Sequence, residues 1–137
     1  MDTPAFVEIT AEGDGALHTV LTHGPSGTRL STDAPRDNGG EASSFSPTDL
    51  VASGLLVCML TTMAIVARRE SIPWGVARGR VEKHMHPSPR RIGKLVVELW
   101  LPPGLSPEQR ARLQVIAETC PVYRSLNPEV VISVTYH

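Results

Sequence analysis

Strict alternation opens the chain. Phe6, Glu8 and Thr10 stand against Val7 and Ile9, and Leu17, Thr19 and Leu21 against His18, Val20 and Thr22, which predicts two short half-buried strands. Polar links punctuate them at Glu12-Gly13-Asp14-Gly15 and Gly24-Pro25-Ser26-Gly27, and a third run over residues 28–32 completes an antiparallel meander. Residues 33–44 are polar and rich in turn formers, a loop that ends in a helix start, Ser46-Pro47-Thr48-Asp49. Serine suits the N-cap, proline the first helical position and Asp49 the reciprocal capping-box position. The following stretch carries no charge until Arg68, so the spacing predicts a helix to about residue 69 or 70. It is apolar around most of its circumference, more than one small sheet covers, so a second helix or a partner subunit must cover the rest. Its uncharged length approaches that of a membrane span, but Ser53, Gly54, Thr61 and Thr62 lower its hydropathy, and a buried core helix is the expectation.

Ser71-Ile72-Pro73-Trp74-Gly75 breaks that helix, and runs over 76–86 and 94–101, linked by Pro87-Ser88-Pro89-Arg90-Arg91, predict a long hairpin. Leu95, Val97, Leu99 and Leu101 share one face of its second strand. Leu105-Ser106-Pro107-Glu108-Gln109 repeats the helix-start grammar. Leu113, Ile116, Ala117 and Cys120 follow at three- and four-residue steps, which places Cys120 near the C-terminal end of this helix with Pro121 stopping it. Residues 129–136 alternate as a final strand. At 137 residues the chain makes one domain.

Composition narrows the chemistry. Thirteen basic and fourteen acidic residues leave a formal charge of -1, with no basic face for a phosphate backbone, so nucleic acid is not an expected partner. Aromatic residues are 4% of the chain, too few for stacking platforms, so any ligand site is mostly aliphatic. The acidic N-terminus lacks the basic start of an export signal, and a cytoplasmic protein is expected. Gly13, Gly15, Gly39 and Gly40 form no phosphate-binding fingerprint, so no nucleotide cofactor is expected. His84 and His86 share a strand face but have no third ligand in sight, and beside Lys83, Arg90 and Arg91 they read as a cationic hairpin tip rather than a metal site. His18, His23 and His137 read as surface residues.

That leaves Cys58 and Cys120. Without an export signal, such a pair is either a cytosolic redox couple or two unrelated buried thiols. The second reading predicts Cα atoms more than about 7 Å apart. Cys58 lies about three turns into its helix, beyond the reach of the N-terminal dipole, so a thiolate there needs a nearby cation. Cys120 at a helix C-terminus is less suited to be a thiolate, so in a redox couple Cys58 attacks and Cys120 resolves.

Gly39-Gly40, Ser46-Pro47-Thr48-Asp49-Leu50, residues 52–58 and Cys120-Pro121-Val122-Tyr123-Arg124-Ser125-Leu126 together resemble the OsmC/Ohr family of thiol-dependent hydroperoxide reductases, in order and over nearly the whole chain. The resemblance implies an α+β fold with antiparallel sheets wrapped around two central helices in an intertwined homodimer. It also implies reduction of an organic hydroperoxide or hydrogen peroxide by the first cysteine, capture by the second as a disulfide, and reset by a cellular dithiol. The family's loop arginine matches Arg36, with Arg29 in reserve. Thr48 stands where the family's peroxidases carry glutamate, with Asp49 adjacent, and this is typical of the OsmC-like branch. The alternative therefore stays open: a non-catalytic or weakly catalytic dimer that binds a small hydrophobic molecule or senses oxidants.

Overall fold

The structure, a computed structural model, describes residues 5–137. Its elements run β1 (Ile9–Gly13), β2 (Thr19–His23), β3 (Arg29–Thr32), a 3-10 turn (Arg36–Asn38), α1 (Pro47–Arg69), β4 (Arg78–Pro87), β5 (Arg90–Trp100), α2 (Pro107–Ala117), α3 (Pro121–Ser125) and β6 (Val131–Tyr136). The class is α+β, as the resemblance implies. The backbone divides into two compact units, one ending at Leu50 and one from Val51 to His137.

The first unit carries the antiparallel meander β1-β2-β3, with Ile9 opposite His23 and Thr19 opposite Thr32. Its first strand lies three residues further along than alternation suggests. β2 ends at His23, opposite Ile9, so Phe6 and Val7 alternate without a partner and are exposed. The turn moves correspondingly, because Asp14 Oδ1 accepts the Ala16 and His18 amides at 2.8 and 3.3 Å and Gly15 takes φ +86°.

The helix start behaves as read. The Asp49 amide donates to Ser46 Oγ at 3.1 Å and the Ser46 amide to Asp49 Oδ2 at 2.9 Å, a reciprocal capping box. α1 then runs to Arg69, its final basic pair opposing the dipole.

In the second unit β4 and β5 pair antiparallel, from Arg78 opposite Trp100 to Pro87 opposite Arg90, a tighter hairpin than the sequence suggested. β6 departs from expectation. It pairs parallel to β5, Lys94 opposite Val131 through Leu99 opposite Tyr136, so this sheet is mixed rather than antiparallel. The helical passage through α2 and α3 carries the chain back before β6 begins, and such a crossover delivers a parallel strand.

Leu55, Met59 and Met63 of α1 form a stripe that merges with Leu95, Val97 and Leu99 of β5 and Leu113 and Ala117 of α2, all fully buried. Each such leucine contributes about 1.5–3 kcal/mol on burial. The helix approaches β4 closely at Gly79, where a Cβ would lie 2.6 Å from Leu56 Cδ1. By length and composition α1 could also cross a membrane, but this stripe is core. Its other side is apolar and uncovered, with Val57 57% and Ile65 51% exposed.

Candidate functional site: a thiol pair and an arginine loop

Both cysteines belong to the second unit. Cys58, on α1, is half-buried, its Sγ 3.9 Å from Thr62 Oγ1. Cys120 is fully buried and sits elsewhere than expected. α2 ends at Ala117, and Cys120 is the N-cap of α3, its Sγ accepting the Tyr123 amide at 3.4 Å. Pro121 therefore opens a helix instead of stopping one, since its fixed φ and missing N–H suit a first helical position. The C-terminal dipole argument against a Cys120 thiolate fails with it. Burial, however, outweighs the Tyr123 and Val122 amides and pushes the Cys120 thiol up to about 11.

Cys58 packs against the buried cluster that contains Cys120, and its proximity further raises the Cys120 thiol. No S–S bond joins the two sulfurs, and they do not stand at disulfide distance. Tyr123 and Tyr136 pack against the same core. Burial raises the Tyr136 phenol, and the Glu118 carboxylate adds to this; its hydroxyl donates to Gln114 O at 3.1 Å. What the cluster presents is one half-accessible sulfur and one sealed, protonated sulfur.

Arg36 and Arg29 belong to the first unit. Arg36, exposed, begins the 3-10 turn, and its Nε donates to its own loop at Glu41 O, 3.3 Å. Arg29 is exposed on β3, where it lines a depression with Glu12, Asp14, His18 and Val20.

The loop's organiser is Asp33, which sequence reading left among generic loop residues. It is 1% exposed. Its Oδ2 accepts the Glu41 amide at 3.2 Å, the Ser43 amide at 3.0 Å and the Ser43 hydroxyl at 2.8 Å. These donors, led by Ser43, hold its carboxyl down at about 2 despite burial. An aspartate closing a strand before a Gly-Gly loop was the available signal, since Asp caps loop amides. The approach is tight: a Cβ on Gly40 would collide with Ala34 O, so only glycine fits.

Thr48 Oγ1 lies 3.2 Å from Ser46 Oγ, and one Asp49 oxygen is engaged in the capping box. His84 Nε2 meets Glu82 Oε1 at 2.9 Å, and His86 Nδ1 lies 3.4 Å from Pro89 O. A register shift between His84 and Met85 interrupts the alternation that would put the two imidazoles on one face.

The chain matches the OsmC-like protein family over residues 40–135. It belongs to that family. An osmotic stress and detoxification response protein, so named in its solved structure from Psychrobacter arcticus 273-4, is 32% identical over the whole of both chains with a TM-score of 0.90. An organic hydroperoxide resistance protein from Legionella pneumophila shares 22% identity over 98% of each chain with a TM-score of 0.73. The organic hydroperoxide resistance protein OhrB of Bacillus subtilis shares 24% identity over 96% of this chain and 98% of its own, with a TM-score of 0.64. At those identities the last two establish the fold alone. Comparison with curated protein sequences finds no match.

Proposed function

We propose that this OsmC-like protein is a thiol-dependent hydroperoxide reductase, with Cys58 as the attacking sulfur, Cys120 as the resolving one and Arg36 supplying the cation. The observation that supports the reading is that one core cluster holds a half-accessible sulfur and a sealed one that remains a thiol at neutral pH. A Cys58 thiolate attacks the distal peroxide oxygen. The S–O bond forms as the O–O bond breaks, sulfur loses two electrons, and the departing alkoxide takes up a proton as the alcohol. Cys120, as a thiol, does not compete for peroxide. It then attacks the Cys58 sulfur, an S–S bond replaces the S–OH bond, and its proton leaves with the hydroxide as water. A cellular dithiol reduces the disulfide by exchange and is itself oxidised, which suits a reducing cytoplasm.

A homodimer belongs to the same proposal. The uncovered side of α1, with Val51, Val57 and Ile65 exposed, is an apolar stripe on an otherwise packed core helix, and a second copy of the chain is the proposed cover. Val57→Glu should convert the dimer to monomer in analytical ultracentrifugation; an unchanged sedimentation coefficient would reject that interface.

Stoichiometric cumene hydroperoxide should consume two thiols per chain and leave a Cys58–Cys120 disulfide by peptide mapping. Survival of both thiols would overturn the reductase. Cys58→Ser should reduce turnover to the uncatalysed background, while Cys120→Ser should permit one turnover and then over-oxidise at Cys58. A second reading, a dimer that holds a small hydrophobic molecule, draws on Thr48 in place of the family's glutamate. It draws too on an apolar hollow of about 390 Å³ along α1 at Leu60, Thr61 and Ala64, faced by Trp74 and Val76. Ligand binding retained in Cys58→Ser would favour it.

A further inference from the structure

His18 touches two carboxylates at once. Its Nδ1 lies 2.8 Å from Asp14 Oδ2, and its Nε2 lies 3.4 Å from Asp33 Oδ1. A neutral imidazole has one N–H and one lone pair, so it can serve only one of these oxygens and turns a lone pair toward the other. Only the imidazolium can donate to Asp14 and at the same time present a positive charge to Asp33, the two forming an ion pair.

What Asp33 holds makes this consequential. Its Oδ2 anchors the amides of Glu41 and Ser43, and between those two amides stands the Glu41 carbonyl that receives Arg36 Nε. The same short segment includes Ala42 at φ +54°, a left-handed conformation that a residue with a Cβ adopts only when its surroundings impose it. The position of the guanidinium is thus set by a carbonyl whose flanking peptides are both tied to one carboxylate, and that carboxylate's other oxygen faces His18.

We propose that His18 and Asp33 are positioning residues for Arg36, a latch that is closed while the His18 imidazole is protonated and slackens as it loses its proton. The charged groups around the imidazole favour the closed state: Asp14 from the turn after β1, Asp33 from the end of β3 and Glu41 from the loop, with Glu12 and Arg29 lining the depression beside it. Their net charge is negative. The Asp14 hydrogen bond, followed by the charge of Asp33, raises the His18 titration above 6.5, so the latch stays shut at the low end of the physiological range and opens on the alkaline side. The effect on catalysis rests on the reductase reading; the effect on the loop does not.

The experiment separates the two. Hydrogen exchange at the Glu41 and Ser43 amides and at Arg36 Nε–H, expressed as protection factors, is followed by NMR from about pH 6 to about pH 9, with the His18 ring resonances titrated in the same samples. Protection should fall several-fold with the midpoint of the His18 titration. In His18→Gln it should be low and independent of pH, and in Asp33→Asn the His18 midpoint should drop. Protection that stays level through the His18 titration, or that survives in His18→Gln, overturns the latch. In parallel, kcat/KM for cumene hydroperoxide is compared between wild type and His18→Gln: the ratio should be several-fold at the acid end and approach one at the alkaline end. A wild type without turnover would reject the reductase while the exchange data still decide the latch, and a pH-independent ratio in an active enzyme would reject the positioning role.

Discussion

Asp33 and Cys120 are both sealed from solvent, at 1% and 0% exposure, yet burial leads them to opposite charge states. The aspartate sits among three donors and stays ionised down to about 2. The cysteine has only backbone amides, of Tyr123 and Val122, and an apolar surround, and it stays neutral up to about 11. Desolvation opposes charge in both, so the number of hydrogen bonds aimed at the anion decides which tendency wins. In this protein the polar loop is built to keep a charge, and the thiol turn is built to refuse one.

The most severe break in that comparison is to put the loop's charge into the turn. Cys120→Asp would place a carboxylate where it finds only the Tyr123 and Val122 amides, without the hydroxyl donor that Asp33 also has. Stability at pH 7 should fall by about 3 kcal/mol or more in urea unfolding, with part of the loss recovered at about pH 5 as the carboxyl protonates. An equal loss at both pH values would mean that the turn solvates anions after all.

A smaller effect follows from the native thiol. In the folded state Cys120 holds its proton up to about 11, against an ordinary 9.0, so the unfolded chain ionises first. Its contribution is fully present below about 9 and is lost as pH rises toward about 11, at most about 3 kcal/mol. Cys120→Ala should flatten this alkaline decline. Asp33 has the opposite sign. Its folded carboxyl titrates at about 2, below the ordinary 3.8, so its contribution is present above about 3.8 and is lost as pH falls through about 2. Asp33→Asn should remove that acid limb, and equilibrium unfolding across both limbs reads the two groups independently.

How much of this the sequence disclosed depends on the range of the forces involved. Ser46-Pro47-Thr48-Asp49 and Ser106-Pro107-Glu108-Gln109 announce their helices because capping chemistry is settled within four residues. Cys120-Pro121 misled because proline suits both the residue after one helix and the first residue of the next; only the length of α2 decides, and packing sets that. β6 reads as a strand from its own alternation, but whether it lies parallel or antiparallel depends on the path of α2 and α3. Asp33 and Cys58–Cys120 are harder in the same way. The partners of Asp33 are eight and ten residues away, and the sulfurs are sixty-two positions apart. The sequence pairs the cysteines by resemblance, and tertiary packing brings both to one core cluster.

The mildest test asks whether the loop's polar organisation extends into the helix it leads to. Both capping boxes use the same reciprocal bonds, 3.1 and 2.9 Å at Ser46 and Asp49 and 3.1 and 2.9 Å at Ser106 and Gln109. They differ in charge, since Asp49 adds a full negative charge at the N-terminal dipole and Gln109 adds none. Removing either side chain frees one backbone N–H, so Asp49→Ala and Gln109→Ala should each cost about 1 kcal/mol. The aspartate variant should lose a few tenths more, and that excess should shrink in high salt because the dipole term is screened while the hydrogen bond is not. If the two losses are equal at every salt concentration, the charge of Asp49 contributes nothing at the helix end, and its carboxylate acts there only as a hydrogen-bond acceptor.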